Sequence, residues 1–170
     1  MRWHFVDRID ELIPGQSATG RKGVAGSEDY FADHFPDFPV LPGVVQIEAL
    51  AQLAGKLIEV TVYTEQKRWV WPILSMIRKA KFRQFVRPGD PLTLHVELDQ
   101  LRAESAICKV RTEVEGKRCA EAQIVFVFNP QNLDTDEAQN LLETLERKNL
   151  SILWDGYNDW AAGPGAPVEV

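Results

Sequence analysis

A run between Val44 and Val60 constrains this chain more than any other feature. Val44, Val45, Ile47, Ala49, Leu50, Ala51, Leu53, Ala54, Leu57 and Ile58 fall on nearly every side of a helix with 3.6 residues per turn. A helix that is apolar all round has to be enclosed. Pro42 suits a first helical turn, so the helix is expected to begin near Pro42–Gly43. Between Val44 and Gly55 the only carboxylate is Glu48, and Gln46 and Gln52 are its only polar neighbours with side-chain amides.

The segments around the helix read as the enclosure. "HFVDRIDELIPG" reads as a short strand or turn ending at Pro14-Gly15, and a strand is expected around Arg21–Val24. The loop "SEDYFADHFPDFPVLPG" is held extended and stiff by Pro36, Pro39 and Pro42, each of which fixes φ and biases its predecessor away from helix. After the helix, "RWVWPILSMIRKAKFRQFV" forms one strand region. "PLTLHVELDQL" then sets Leu92, Leu94, Val96 and Leu98 on one face and Thr93, His95, Glu97 and Asp99 on the other. "ESAICKVRTEV" and "RCAEAQIVFVF" flank a hairpin turn at Glu115-Gly116-Lys117. The layout is α+β: an antiparallel sheet curled around one long central helix, with a helical C-terminal extension.

Charge separates the extension from the body. Up to Pro130 there are 17 acidic and 17 basic residues; from Gln131 there are 8 acidic residues against Arg147 and Lys148. The net charge of −6 therefore belongs to the tail. Residues 1–130 are expected to form the main domain and 131–170 an acidic extension. In the extension, "DTDEAQNLLETLERKN" reads as a helix capped by Asp134 or Thr135, with a stripe of Leu141, Leu142 and Leu145. A segment rich in Gly, Pro and Trp follows, its last residues expected loose. So much apolar surface argues for docking, on the outer face of the sheet or on a partner subunit, with Trp154 as anchor and the acidic side turned to solvent or to a neighbour's basic strand. Neither half has the basic excess of a nucleic-acid binder. No apolar run is long enough to span a membrane, and the charged start is unlike a signal peptide. Cys108 and Cys119 fit no metal or redox spacing, as expected of small residues in a reduced, cytoplasmic protein. Neither a metal nor another cofactor is implied.

Three features carry chemistry. Burial raises the pKa of a carboxylic acid, and an acid that keeps its proton near neutrality can protonate a leaving group; Glu48 reads equally as that or as a structural acid bonded to Gln52 one turn on. His34, in a rigid loop, is the histidine best held to act as a base, whereas His95 is expected exposed and His4 has no partner in view. The free amides of Gly43 and Val44 at the helix start can receive negative charge developing on an oxygen. Glu48 lies five residues beyond Gly43, about 7 Å along the axis. A base, an acid and an oxyanion donor together suit removal of a proton α to a carbonyl with loss of a β-hydroxyl.

"HFPDFPVLPGVVQIEALAQLAG" resembles the signature of the β-hydroxyacyl-acyl-carrier-protein dehydratases, which have the hot-dog fold. "FVDRIDELIPG", "SEDYFADHFP" and "AKFRQFVRPGDPLTLHVEL" resemble further segments of that family, from about Phe5 to Pro130. The resemblance implies His34 as catalytic histidine, Glu48 as catalytic acid and Gly43 as the residue whose amide faces the thioester carbonyl. Glutamate at position 48 resembles the branch that dehydrates without isomerising. A homodimer, or a trimer of dimers, is also implied, with one chain's histidine working with the other's acid. Asp33, Asp37-Phe38, Gln46 and the tail depart from the family pattern. Arg78, Lys79, Lys81, Arg83 and Arg87 form an acid-free segment. It reads either as a solvated strand or as a docking patch for an acidic acyl carrier protein, with a coenzyme A thioester as the alternative substrate form. Competing readings are an acyl-thioester-binding protein without turnover, which would need neither His34 nor Glu48, and a thioesterase.

Overall fold

The structure, a computed structural model, describes residues 3–128 and 135–162. The expected boundary at Pro130, the alternative cap Asp134 and the last residues of the tail lie outside that range. Strands β1 (Arg8–Ile13) and β2 (Ser17–Gly23) precede the central helix α1 (Gly43–Gln66). Strands β3 (Pro72–Phe82), β4 (Pro91–Arg102), β5 (Ser105–Val114) and β6 (Lys117–Phe128) follow it, then helices α2 (Asp136–Leu153) and α3 (Tyr157–Ala162). The six strands make one antiparallel sheet in the order β1-β2-β4-β5-β6-β3, with α1 against its inner face.

Alternation sets which side chains meet the helix. Leu92, Leu94 and Val96 are buried, opposite Val114, Thr112 and Val110. Leu98 is only partly buried, just before the β4 register shifts between Leu98 and Gln100. The β5–β6 turn is tighter than expected, because Lys117 already pairs with Val114. Glu115 and Gly116 have φ of 50° and 75°, the type I′ geometry that matches the twist of a hairpin. Gln46, polar in an apolar helix, is 2% exposed. Its Oε1 accepts the Thr112 hydroxyl at 2.7 Å, and Thr112 Oγ1 accepts the Ala120 N–H at 3.0 Å. The amide thus ties α1 to β5 and β6 while meeting the hydrogen-bonding needs of buried polar atoms.

Helix α1 starts where Pro42–Gly43 predicts but runs six residues past Val60. Thr61 and Thr64, poor helix formers, donate their hydroxyls to the carbonyls of Leu57 (2.6 Å) and Val60 (2.7 Å). The helix ends at Lys67 with φ of 56°, a left-handed cap whose N–H reaches the Tyr63 carbonyl.

What holds that last stretch is the extension. Contrary to expectation, α2 lies on α1 itself and not on the outer face of the sheet. The sheet covers one side of a helix that is apolar all round, and the extension covers another. Thr135 caps α2, its side chain accepting from the Ala138 N–H. The Gln139 amide pairs with the Trp69 backbone N–H and C=O at 2.8 and 3.1 Å. Leu142, Leu150 and Trp154 are buried, while Leu141 and Leu145 of the expected stripe are exposed. Trp160 stands among Tyr63, Trp69 and Trp154 and donates its indole N–H to Thr64 Oγ1 at 3.0 Å. Trp154 also bridges to Ile9 on β1. The acidic side does not face only solvent: Lys56 of α1 is ion-paired with Glu59, at 2.8 Å, and with Glu146 of α2.

Two outcomes follow. Deleting residues 131–170 is expected to uncover the Tyr63–Trp69 ring stack, lower the melting temperature and increase binding of an apolar dye. Burial pushes the Glu59 carboxyl up to about 8, with Lys56 opposing. A folded-state pKa above the unfolded value contributes stability below the unfolded pKa that is lost as pH climbs through the folded one. Stability should therefore fall between about pH 4.5 and 8, and Glu59→Gln should flatten that slope in urea denaturation at graded pH.

Candidate active site

His34 sits in a loop pinned at both ends. On the N-terminal side, the buried Lys22 ammonium pairs with Glu28 at 2.6 Å and lies over the Phe5 ring, and a 3₁₀ turn at Asp29–Ala32 buries Phe31. On the C-terminal side, Val40 and Leu41 are buried, and the Leu41 N–H reaches the Val86 carbonyl at 2.8 Å. Between these anchors the chain folds back on itself. His34 C=O accepts the Val40 N–H at 2.9 Å, and Phe35 and Phe38 exchange backbone hydrogen bonds at 3.0 and 3.1 Å. The turn is Pro36-Asp37, with Asp37 at φ 63°. Proline followed by a positive φ is a type II turn, and aspartate tolerates the left-handed region where glycine is usual.

This hairpin fixes the imidazole. His34 Nδ1 lies 2.8 Å from the Val40 carbonyl. A carbonyl only accepts, so Nδ1 carries the hydrogen and the lone pair is on Nε2. The Phe35 ring stacks on the imidazole, centroids 4.2 Å apart. Asp33 is exposed beside it. His95, expected exposed, is half-buried, near Glu113 at 3.4 Å; burial and Arg111 hold its pKa down.

At the start of α1 the Pro42 carbonyl takes the N–H groups of Val45 and Gln46 at 2.9 and 3.4 Å. The amides of Gly43 and Val44 have no partner among the described residues, and Val44 is 73% exposed. Gly43 also packs closely in a way the sequence does not show. A Cβ there would stand 2.6–2.9 Å from carbons of the Phe82 ring at the end of β3.

Glu48 is half-buried, not enclosed as its helix suggested; the sheet and the extension leave this turn of α1 partly open. Its Oε1 accepts two donors, the Gln52 amide at 2.9 Å and the Trp3 indole N–H at 3.0 Å. The bond to Gln52 is the one the helical spacing suggested. Trp3 was not foreseen, because only the tertiary fold lays the N-terminal segment across α1. Gln52 clamps that segment, taking the Phe5 N–H at 2.8 Å and donating to the Trp3 carbonyl at 3.2 Å. Within one chain, none of the contacts described joins His34 to Glu48.

The five basic residues all lie exposed. Arg83 pairs with Glu121, and Arg87 lies over the Phe38 ring at 4.9 Å. Arg78 reaches Met76 Sδ. Lys79, at a bulge with φ 54°, and Lys81 line an open groove of about 390 Å³ on the outer face of the sheet. Lys109, Arg111 and Arg118 line it too; they come from strands distant in sequence and escaped notice. Cys108 and Cys119 are free and buried, and burial pushes the Cys108 thiol up to about 12, too high for a nucleophile near neutral pH.

Residues 11–123 match the ApeI-like family, described by its ApeI dehydratase. The chain belongs to this family. It is 41% identical over 125 residues to a 3-hydroxyacyl-[acyl-carrier-protein] dehydratase FabZ of Clostridium acetobutylicum, covering 73% of this chain and 86% of that one. With the FabZ of Levilactobacillus brevis it shares 43% identity over 123 residues, 72% of this chain and 81% of the relative. The dehydratase heterocomplex ApeI:P of Xenorhabdus doucetiae shares the fold at a TM-score of 0.64 and 14% identity, with 76% and 85% of the two chains covered. A hypothetical thioesterase with coenzyme A from Streptococcus pneumoniae shares it at 0.55 and 12%, over 72% and 84%. The fold is the hot-dog fold that the motifs implied.

Gly43→Ala is expected to drive Cβ into the Phe82 ring and lower the melting temperature. Adding Phe82→Ala should recover most of that loss, since residues in contact are non-additive; additive losses would deny the contact.

Proposed function

We propose that this protein removes water from a β-hydroxyacyl thioester, carried on an acyl carrier protein, to give the trans-2-enoyl thioester in fatty acid or related lipid or polyketide synthesis. The observation that carries the reading is the Nδ1–Val40 bond at 2.8 Å, which leaves His34 with a free basic nitrogen. Nε2 takes the proton from the carbon α to the thioester. The electrons of that C–H bond form the new double bond, and the β-oxygen leaves as water with a proton from Glu48. Charge developing on the thioester oxygen meets the amides of Gly43 and Val44, which a helix start leaves without intrahelical partners.

The two groups come from two copies of the chain, His34 of one and Glu48 of the other. The open edge supports this: β3 is exposed along nearly its whole length, and Ile73, Met76 and Ile77 project apolar surface from it. An unprotected apolar edge invites a further strand. Such dimers can assemble further, to a trimer of dimers. Lys79 and Lys81, with the rest of the basic segment, favour an acidic carrier protein over coenzyme A as the donor. In this reading residues 1–130 are the catalytic domain, 131–170 are a supporting extension, and the protein works in the cytoplasm.

His34→Ala and Glu48→Gln should each lower hydration of crotonyl thioesters by about 10²–10⁴-fold while leaving the circular dichroism unchanged. Near-normal turnover in either variant would remove that residue from the mechanism. Binding of the thioester by the wild-type protein without any conversion would favour a binding protein instead. Docking should weaken as salt rises. Charge reversal at Lys79 and Lys81 should slow turnover on the carrier protein more than on coenzyme A; equal effects would mark a solvated strand.

A further inference from the structure

Trp3 lies outside the residues that match the family, yet its side chain touches the acid. The indole N–H and the Gln52 amide both donate to Oε1 of Glu48, at 3.0 and 2.9 Å. Oε2 has no donor among the described residues. A carboxyl group whose two oxygens are treated so differently is held in one orientation, with one oxygen occupied as acceptor and the other left for the substrate. Trp3 is itself braced: its ring meets Phe5 edge-on, with centroids 4.9 Å apart, and its backbone carbonyl accepts the second N–H of the Gln52 amide. Phe5 is 2% exposed and anchors the segment, while Trp3 is 59% exposed and adds little burial of its own.

We infer that Trp3 is a positioning residue: its indole N–H, donated to Oε1 of Glu48, turns Oε2 toward the leaving β-hydroxyl. The inference rests on the dehydratase reading and on Glu48 as its acid. Proton transfer in the transition state depends on a well-aligned donor, whereas ground-state binding of the acyl thioester does not. Losing the N–H should therefore lower kcat and leave KM nearly unchanged.

The test uses crotonyl-CoA and crotonyl-acyl carrier protein with the full chain. Trp3→Phe keeps the ring against Phe5 and removes only the donor. The expected result is about a tenfold lower kcat, a KM within about twofold, and an unchanged melting temperature. The same substitution is then made beside Glu48→Asp, whose carboxyl is one methylene shorter and out of the indole's reach. There it should cost nothing further, because groups that act through one another are non-additive. A wild-type kcat in Trp3→Phe, or an equal loss in both backgrounds, would overturn the inference and leave the function standing. Full turnover in Glu48→Gln would overturn the inference together with Glu48 as the acid and leave the dehydratase activity standing; no conversion of either crotonyl thioester by the wild-type chain would overturn both the inference and the function.

Discussion

Enclosing α1 is the constraint on which the rest of the structure depends. Leu50, Leu53, Leu57 and Ile58 are fully buried. At roughly 1.5–3 kcal/mol each, these four contribute on the order of 6–12 kcal/mol, comparable with the whole net stability of a domain. A helix with so much to bury needs cover on more than one side. The sheet supplies one side and α2 another. The start of α1, from Gly43 to Glu48, is the part that neither covers fully. The amides of Gly43 and Val44 and the carboxyl of Glu48 therefore stay reachable on that turn.

The two edges of the sheet are handled differently. At β1 the extension meets the edge: Trp154 bridges to Ile9, and Arg8 pairs with Asp155. At β3 nothing among the described residues closes the edge, and apolar side chains stand open along it. An unpaired strand is a hazard that folds ordinarily blunt. The extension thus touches the β1 edge as well as α1.

Much of this was legible in the sequence because it depends on local pattern. The period-2 alternation of Leu92, Leu94 and Val96 and the all-round apolarity of Val44–Ile58 fixed sheet and helix. Pro42 set the helix start. What escaped depends on contacts between distant segments. No local rule could show that Thr61–Gln66 stays helical, since its support comes from Trp160, whose indole N–H reaches Thr64 Oγ1. Periodicity likewise suggested Leu141, Leu142 and Leu145 for the packed face of α2; Leu142 takes it together with Leu150, while Leu141 and Leu145 are exposed, because Lys56 and Trp69 fix the register from the other side. At the site, His34 could be singled out by its rigid loop. Its tautomer could not, since that follows from a carbonyl six residues on, brought back by a turn.

The same distinction applies to Glu48. Read along the helix, it looked like a buried acid whose protonation burial would govern. In the fold it is half-open, and its orientation is set by donors, one from the next turn and one from 45 residues away. Desolvation is a blunt way to prepare an acid, because it acts on both oxygens alike. Hydrogen bonds distinguish them. For the proposed reaction, in which one proton must reach one leaving oxygen, alignment of the carboxyl is worth more than its concealment, and two donors on Oε1 of Glu48 supply a fixed orientation.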